Sequence, residues 1–437
     1  MRTETEQVDV TVIGGGLAGM AASIHLADAG LSVLCIEADS LDRDPVGESL
    51  DWSAPALLKD LGLPMEYLIE HGIATYKRHV VLKLRDGSKQ DYIPGDWLGK
   101  PPFNVDLRTL HVDRGQLNQA LREIFLAKGI RLVSDRVVHI ETADRAVKAV
   151  VSAQGERIVS KWYIDASGSS ASLFPRIFNL PVYEYGPHKV AMWDYFTVPE
   201  SIEGTTLHAD GAGPPYMEWV WQIPIHPNTI SVGYVSTGEA VKEKRQQGLS
   251  VQNIFEAQLK QFPDLRDLVH DPAREPPRTT SFRCRAFANA AGPNWLIAGE
   301  AAAMVDPMTS NGVTAALRHA AEASSLIIRY RNRRSIPRLP AAMYSQRILS
   351  LARFFNSAIE NVLYDWPIRN RIGPFPAGDV YTIPAWSINV AYSRMQPKGF
   401  VSTTLFSLLL ASLRYSLGAF HWLCSRWLPS SQVAAAT

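Results

Sequence analysis

VDVTVIGGGLAGMAASIHLADAGLSVLCIE, from Val8 to Glu37, is the stretch that decides the fold. The apolar run Val8 to Ile13 reads as a buried parallel strand. Gly14, Gly16 and Gly19 follow in GxGxxG spacing, and a helical run covers Met20 to Ala29. Gly30 stops that helix. A second apolar strand, Leu31 to Ile36, ends at Glu37. Each part has a physical reason. The glycines allow a tight turn, close approach of backbone to a pyrophosphate, and close helix–strand packing. The helix start offers free N–H groups and a positive dipole end to phosphate. A carboxylate about 20 residues on is placed to accept from a ribose hydroxyl. Strand, glycines, helix, strand and acid in this order predict a dinucleotide site. The acid suits an unphosphorylated ribose, so FAD or NAD rather than NADP.

A chain of 437 residues with 46% hydrophobic content can bury a large core, as two domains or as one nucleotide domain with insertions. A net charge of +1 gives no global field that argues for nucleic acid. The three cysteines, Cys35, Cys284 and Cys424, lie far apart and outside any CxxC spacing. That fits a reducing cytosol and offers no zinc site. The polar start MRTETEQ has no signal-peptide character. His71, His79, His111, His226 and His319 show no ligand spacing, and no metal is expected.

Outward from the opening stretch, helices are expected from Ala54 and over Met65–Gly72. HVVLKLRDGSKQDYIP alternates around a turn at Asp86–Gly87, so Lys77, His79, Val81 and Lys83 are expected on one strand face. Val112–Lys128 reads as an amphipathic helix closed by Gly129. Trp162–Ile164 leads into a DASG turn, which looks like a return to the nucleotide domain. Pro187–Gly238 reads as antiparallel sheet, Ala240–Phe262 as one charged helix, Asn294–Ala298 as a short strand and Gly312–Tyr330 as helix. The remainder is mostly helical and starts with a basic cluster (Arg329, Arg331, Arg333, Arg334, Arg338), ordinarily a solvated face. FVSTTLFSLLLASLRYSLGAFHWLCSRWL, Phe400 to Leu428, is apolar but interrupted by Arg414, His421 and Arg426. A helix packed on the domain, a peripheral membrane contact through 400–428 and a span remain open readings.

Several stretches together resemble the flavin-dependent halogenases, within the FAD-dependent monooxygenase and geranylgeranyl reductase-like superfamily. Arg114 in VDRGQLNQAL matches the arginine near FAD in flavoprotein monooxygenases. Asp165 and Gly168 in YIDASG match the motif that closes over the dinucleotide. NWLIAGEAAAMVDPMTSNGVTAALRHA is similar to the second FAD fingerprint, with Glu300 where the family has aspartate, Asp306–Pro307 as its Asp–Pro, and Gly312 and Val313 opening a helix toward the flavin. Glu48 and Ser49 in VGESL resemble the family's GES turn. EWVWQIP, with Trp219 and Trp221, fits the narrower WxWxIP signature of the halogenases.

The resemblance implies an α/β fold: a Rossmann-like FAD-binding domain of the glutathione reductase/hydroxylase type (1–75, 105–185 and 285–330), an inserted antiparallel β-sheet substrate domain (76–104 and 186–284), and a helical C-terminal region (331–437). It implies FAD as cofactor, held by Gly14, Gly16, Gly19, Glu37, Glu48, Ser49, Arg114, Asp165, Gly168, Glu300, Asp306, Gly312 and Val313. It implies an oxidoreductase in which reduced FAD, O₂ and halide give hypohalous acid, steered past Trp219 and Trp221 to a lysine that halogenates an electron-rich aromatic. That lysine must be desolvated to be reactive. Lys77 is the best match and Lys83 the second. Tryptophan halogenases carry a glutamate and a serine shortly after the Asp–Pro; here Thr309 and Ser310 stand there. The missing carboxylate argues against free tryptophan and for a phenol- or pyrrole-type substrate, small or carrier-bound. Ser310 is a candidate halide contact or, equally, a helix cap. A separate NAD(P)H flavin reductase is implied as partner. The alternatives are a single-component hydroxylase, epoxidase or reductase of a hydrophobic substrate, and a flavoprotein without oxygen chemistry. The expected location is cytoplasmic, with membrane association through the C-terminal stretch as an option.

Overall fold

The computed structural model describes residues 7–38, 45–101, 104–200, 204–209, 216–269, 275–395, 397 and 399–427. The polar start of the chain therefore lies outside the described residues.

The opening stretch forms a strand, Val8–Ile13, a helix, Leu17–Asp28, and a strand, Val33–Glu37. They belong to a parallel sheet whose order is Trp295–Ile297, Ser160–Asp165, Val8–Ile13, Val33–Glu37, Arg131–Ser134. The near-continuous apolar runs are needed because helices bury both faces of such a sheet. Val10, Val12, Leu34 and Ile164 are fully buried. Helix Gly312–Tyr330 packs along Leu17–Asp28, and Arg114–Ala127 covers the same helix from another side.

The second layer is an eight-stranded sheet of order Ala303–Met304, Arg278–Phe287, Val182–Thr197, Thr229–Thr237, Trp219–His226, Thr205–Ala209, Val80–Leu84, Lys89–Tyr92. All its pairs are antiparallel except Thr205–Ala209 with Val80–Leu84. One face packs toward the nucleotide layer. The other carries Met192, Phe196, Val220, Val232 and Tyr234 into a separate core with Ile254, Phe255 and Leu259.

Two expectations change. The charged segment after Thr237 is two helices, Gly238–Gln246 and Val251–Leu259, not one. Gly248 sits at φ 88°, and Ser250 caps the second helix with a reciprocal Asn253 bond, so backbone and cap both break the run. Lys77 does not share a strand with Val81 and Lys83. It ends Ala74–Lys77, which pairs only with Thr109–Val112, whereas Val80–Leu84 joins the large sheet. Of the open readings for the C-terminal stretch, helix Phe400–Trp427 packs on the domain by one side only: Phe406, Leu410 and Cys424 are buried along helix Arg338–Ala358 and its neighbours, and Phe400, Leu405, Leu408 and Trp422 are exposed.

Candidate active site

Two glycines fix the turn after the first strand. A Cβ on Gly19 would meet the Gly14 carbonyl oxygen at 1.8 Å, and one on Gly14, at φ 101°, would meet the Ala166 carbonyl oxygen at 2.4 Å. A Cβ on Gly16 would meet nothing within 4 Å, because that residue faces an open cleft. The cleft has a volume of about 1180 Å³ and runs past Gly14, Gly16, Glu37, Gln119, Ser167 and Gly168. Glu37 accepts from the Gly15 N–H at the end of its strand. Pockets on both sides of Gly16 share Pro45, Ala166 and Gly168, so the cleft continues inward as a second cavity of about 290 Å³.

That inner cavity is lined by Gly47, Glu48, Ser49, Arg114, Trp219, Trp221, Glu300, Gly312 and Val313. Asn311 caps helix Gly312–Tyr330 without a side-chain bond, so the helix presents its free N–H groups to the cavity. Arg114 is buried. Its Nη1 donates to the Val46 carbonyl at 3.1 Å, and its Nε has no partner. Glu300 opens into the cavity. Glu48 ties the GES turn to the sheet: Oε2 accepts from Gly47 N at 2.9 Å, and Oε1 accepts from Tyr195 and Ser231 hydroxyls at 3.1 Å.

The two tryptophans are set by the sheet. Trp221 Nε1 donates to Ser231 Oγ at 3.1 Å, and its ring lies against Gly233, where a Cβ would come within 2.1 Å. Trp219 Nε1 donates to Tyr364 Oη at 2.8 Å. Register then explains the layout. Leu207 pairs with Trp221 and with Leu82; Ala209 pairs with Trp219 and with Leu84. These residues share one face. The inner cavity lies over the tryptophan strand. A second, smaller chamber lies over the Leu82 strand, and Thr205 and Leu207 line both.

The chamber has a volume of about 70 Å³ and is walled by Trp52, Tyr92, Tyr381 and Trp386, with Lys77 among its lining residues. Lys77 is 3% exposed. Its Nζ donates to Ser49 Oγ at 2.8 Å and to the Leu50 carbonyl at 3.0 Å, and it lies 5.4 Å from the Trp52 ring centroid. Burial pulls its pKa from 10.5 down to about 7, with the Asp51 carboxylate opposing. Ser310 lines both cavities at φ 55° and donates from Oγ to Ser49 Oγ at 3.3 Å. It does not cap the start of helix Gly312–Tyr330, since Asn311 holds that position; it closes the 3-10 turn Pro307–Thr309 instead. Ser49 Oγ also lies 2.9 Å from Thr205 Oγ1, and His111 Nε2 lies 2.8 Å beyond. Burial lowers the His111 pKa, so its ring stays neutral.

Three predicted residues sit elsewhere. Asp165 is wholly buried and turned on its own loop, where Oδ2 accepts from Leu173 N at 2.7 Å and Phe174 N at 2.8 Å. It shapes the turn and does not line the cleft. Asp306 is also fully buried and points away from the cavity. Its Oδ2 meets Lys189 Nζ at 2.7 Å, and its Oδ1 accepts from Tyr364 Oη at 3.1 Å and caps Met308 N at 3.0 Å. Glu360 completes this cluster, 2.7 Å from Lys189 Nζ. Asp306 thus holds the Pro307–Asn311 loop and, through Tyr364, Trp219. Lys83 lies on the opposite sheet face from Leu82 and pairs with Asp264. Sequence reading missed Lys189, Glu360, Tyr364 and the chamber walls Asp51, Trp52, Tyr381, Trp386 and Asn389. The aromatic density of YTIPAWSINVAY was the available signal, on a helix otherwise without a motif.

Residues 107–335 match the family model described as tryptophan halogenase, which is over half of the chain. The chain belongs to the flavin-dependent halogenase family. Residues 9–190 also match the lycopene cyclase model, in keeping with a shared nucleotide-binding half. Among curated relatives of this halogenase-family chain, the flavin-dependent halogenase armH5 of Armillaria mellea is 28% identical over 352 residues, 74% of this chain and 65% of its own length. The 1H-pyrrole-2-carbonyl-[peptidyl-carrier protein] chlorinase of Pseudomonas fluorescens is 27% identical over 73% of this chain and 75% of its own length. The chain thus spans less than two thirds of the fungal relative. The structure of the flavin-dependent brominase Bmp2 superposes with a TM-score of 0.75 at 18% identity, covering 95% of this chain and 99% of that one. The cofactor of this family is FAD, and the residues present fit it. Gly16 leaves room for a pyrophosphate, Glu37 stands at the ribose end, and Arg114, whose buried Nε has no partner among the described residues, lines the inner cavity with the Gly312 helix end.

Proposed function

We propose that the chain is an FAD-dependent halogenase of a single-ring, electron-rich aromatic of phenol or pyrrole type, free or tethered to a carrier protein. Bound FAD, once reduced, supplies with O₂ the two-electron oxidation of halide to hypohalous acid. The observation that carries the reading is Lys77: a buried amine at the partition between the cofactor cavity and the aromatic-walled chamber. Its two contacts, Ser49 Oγ and the Leu50 carbonyl, occupy two N–H donors. One position on the nitrogen remains, and Lys77 lines the chamber. That position holds a third N–H in the ammonium form and a lone pair in the amine, so Lys77 either presents the hypohalous acid by hydrogen bond or carries the halogen on nitrogen. Trp219 and Trp221 wall the cofactor cavity beside the partition and keep a ring-sized substrate on the Lys77 side. Ser49, Ser310 and Thr205 supply hydroxyls along the short path between the two spaces.

At about 70 Å³ the chamber is under half the apolar cavity of about 150 Å³ that holds benzene, so its aromatic walls must move to admit any ring, and further for a fused bicycle than for a single ring. The pyrrole-carrier relative lends support to the carrier-bound option, and electron supply by a separate flavin reductase is part of the proposal. The test is the chain with FAD, a flavin reductase, NADH and bromide against phenol, pyrrole and indole panels, read by mass spectrometry. Brominated phenol or pyrrole is expected. Hydroxylated product formed without a reductase would move the chain to the single-component oxygenases.

A further inference from the structure

Among the described side chains that line the Lys77 chamber, Asp51, Asn389 and Tyr381 are each at least nine-tenths buried and carry a polar atom, Oδ2, Oδ1 and Oη, with no partner, beside the buried guanidinium of Arg369. A buried polar atom left unpaired is costly, and native chains seldom tolerate a cluster of them unless something else pairs them. Their orientation follows from their neighbours. Asp51 Oδ1 is used on Ser53, accepting from N and Oγ at 2.6 Å, which leaves Oδ2 over. Asn311 Nδ2 donates to the Thr309 carbonyl at 3.1 Å, so Asn311 Oδ1 must accept. Asn389 therefore gives it Nδ2, at 3.0 Å, and its own Oδ1 is left over. Two of the three unpaired atoms are thus pure acceptors, and they ask for a ligand that donates.

We propose that Asp51 Oδ2 is a catalytic group that binds the substrate's O–H or N–H and takes its proton during halogenation. This rests on the halogenase reading above and fixes the substrate class further: a phenol or an N–H pyrrole whose donor is free, not its methyl ether or N-methyl analogue. As the ring's electron pair forms the C–X bond and the HO–X bond breaks, the O–H or N–H becomes acidic and its proton passes to Asp51. Asp51 returns that proton to the departing hydroxide, giving water. The halogenated dienone or its pyrrole counterpart then moves its ring C–H proton back to oxygen or nitrogen. The sum is Ar–H plus HOX giving Ar–X plus water. Asn389 Oδ1 and Tyr381 Oη orient the ring.

The test compares phenol with anisole, and pyrrole with N-methylpyrrole, on the wild-type chain and on Asp51→Asn, which is isosteric and keeps the Ser53 contacts. Binding is read first, by quenching of tryptophan fluorescence. Methylation is expected to weaken wild-type binding about tenfold, since it leaves a buried acceptor unpaired. Turnover is read as aryl halide formed per hypohalous acid trapped by a diketone. Asp51→Asn is expected to cut that ratio by about 10- to 100-fold. Equal binding and turnover of the methylated substrates by the wild type, or an unchanged ratio in Asp51→Asn, would overturn the role of Asp51. Absence of any trapped hypohalous acid in the wild type would instead sink the halogenase reading itself.

A different observation carries a second inference. Phe400–Arg426 is a helix long and apolar enough to cross a bilayer, yet it lies along Arg338–Ala358 with its outer face bare. Phe400, Leu405, Leu408, Tyr415, Trp422 and Leu423 are all exposed on it. No Asp or Glu occurs from 400 to 427, while Arg414 stacks 4.9 Å from the Tyr415 ring and Arg426 4.8 Å from Trp422. Apolar bulk with arginine-capped aromatics and no carboxylate is complementary to an anionic lipid surface. We infer that this face rests on such a surface. Full-length chain should co-sediment with vesicles of phosphatidylcholine containing phosphatidylglycerol, less with pure phosphatidylcholine, and not at all as the Leu405→Glu/Leu408→Glu variant. No co-sedimentation with either vesicle, or a dimer by light scattering that the same variant dissolves, would overturn it.

Discussion

The turn at Gly14–Gly19 and the chamber around Lys77 border neighbouring cavities, yet they are built in opposite ways. The turn is local. Its glycines, helix start and terminal acid come from one unbroken stretch, and each residue meets atoms supplied by its near neighbours or by the Ala166 turn. The chamber is assembled from distant parts. Asp51 and Trp52 follow the GES turn, Lys77 ends an isolated strand, Thr205 and Leu207 come from the large sheet, and Tyr381, Trp386 and Asn389 come from a C-terminal helix. The first is fixed by backbone sterics and the second by side chains whose partners the chain brings in late. Disturbing the first should destroy cofactor binding as a whole. Disturbing the second should change which step works and leave the flavin in place.

The sharpest break is at the turn. Gly19→Ala puts a methyl group at 1.8 Å from the Gly14 carbonyl oxygen, which no rotamer can relieve. The first strand and helix must separate, and a loss of several kcal/mol is expected, on the order of the largest single-site effects. The purified variant should lack flavin absorbance and melt early. If it binds FAD at the wild-type level, the turn is not what holds the pyrophosphate.

That contrast also explains how much the sequence reveals. Gly14, Gly16, Gly19 and Glu37 are legible because a phosphate site needs residue types at fixed spacing, and Arg114 and Gly312 are legible through the resemblance to the flavoprotein family. Asp165 and Asp306 match the same motifs but serve the motif's own backbone, and no spacing distinguishes a carboxylate that faces ligand from one that caps its loop. Lys77 is legible as a lysine of the right neighbourhood. Its burial is not, because it depends on strand Ala74–Lys77 pairing with Thr109–Val112 and leaving the alternating run that follows. Period-2 alternation puts Lys83 beside it only if one strand runs through, and the strand breaks between them. Asn389 and Trp386 carry no motif at all.

Between turn and chamber stands the Lys189–Asp306–Glu360 cluster, and its loss should rank next. Lys189 and Asp306 are wholly buried, with nitrogen 2.7 Å from oxygen. Lys189→Met leaves two buried carboxylates without their cation, and breaking such a pair costs about 3–5 kcal/mol. Denaturant melts should show that loss, and halogenation should fall because Tyr364 no longer fixes Trp219. A loss below about 1 kcal/mol would mean that water reaches the cluster.

Lys77→Met should separate stability from function. Aryl halide should fall by about 100-fold or more, with hypohalous acid still released and FAD still bound. Stability should move the other way. The lysine pKa is about 7 in the folded chain against 10.5 ordinarily, so the unfolded chain binds more protons between those values. Its burial therefore costs most below pH 7, and the cost fades as pH rises toward 10.5. Lys77→Met should be more stable than the wild type by a margin that is full below pH 7 and closes by pH 10.5. Product formation in the wild type should turn on one ionisation near pH 7. A rising limb identifies the free amine as the carrier of halogen, and a falling limb identifies the ammonium as the donor. A flat profile there contradicts any role for Lys77.

The smallest effect belongs to the lysine that the alternation would have paired with it. Lys83 and Asp264 are partly exposed, at 21% and 44%, on the sheet face turned from both cavities. Exposed pairs contribute about 0.2–1 kcal/mol, so Lys83→Ala should barely shift the melt and leave product yield and its pH profile unchanged. The two lysines lie a few residues apart in one polar, alternating segment and differ only in which sheet their strands join. If Lys83→Ala loses product and Lys77→Met keeps it, then the sheet register placing Leu82 and Leu207 over the chamber is wrong by one residue, because a single-residue slip would exchange the faces of Leu82 and Lys83.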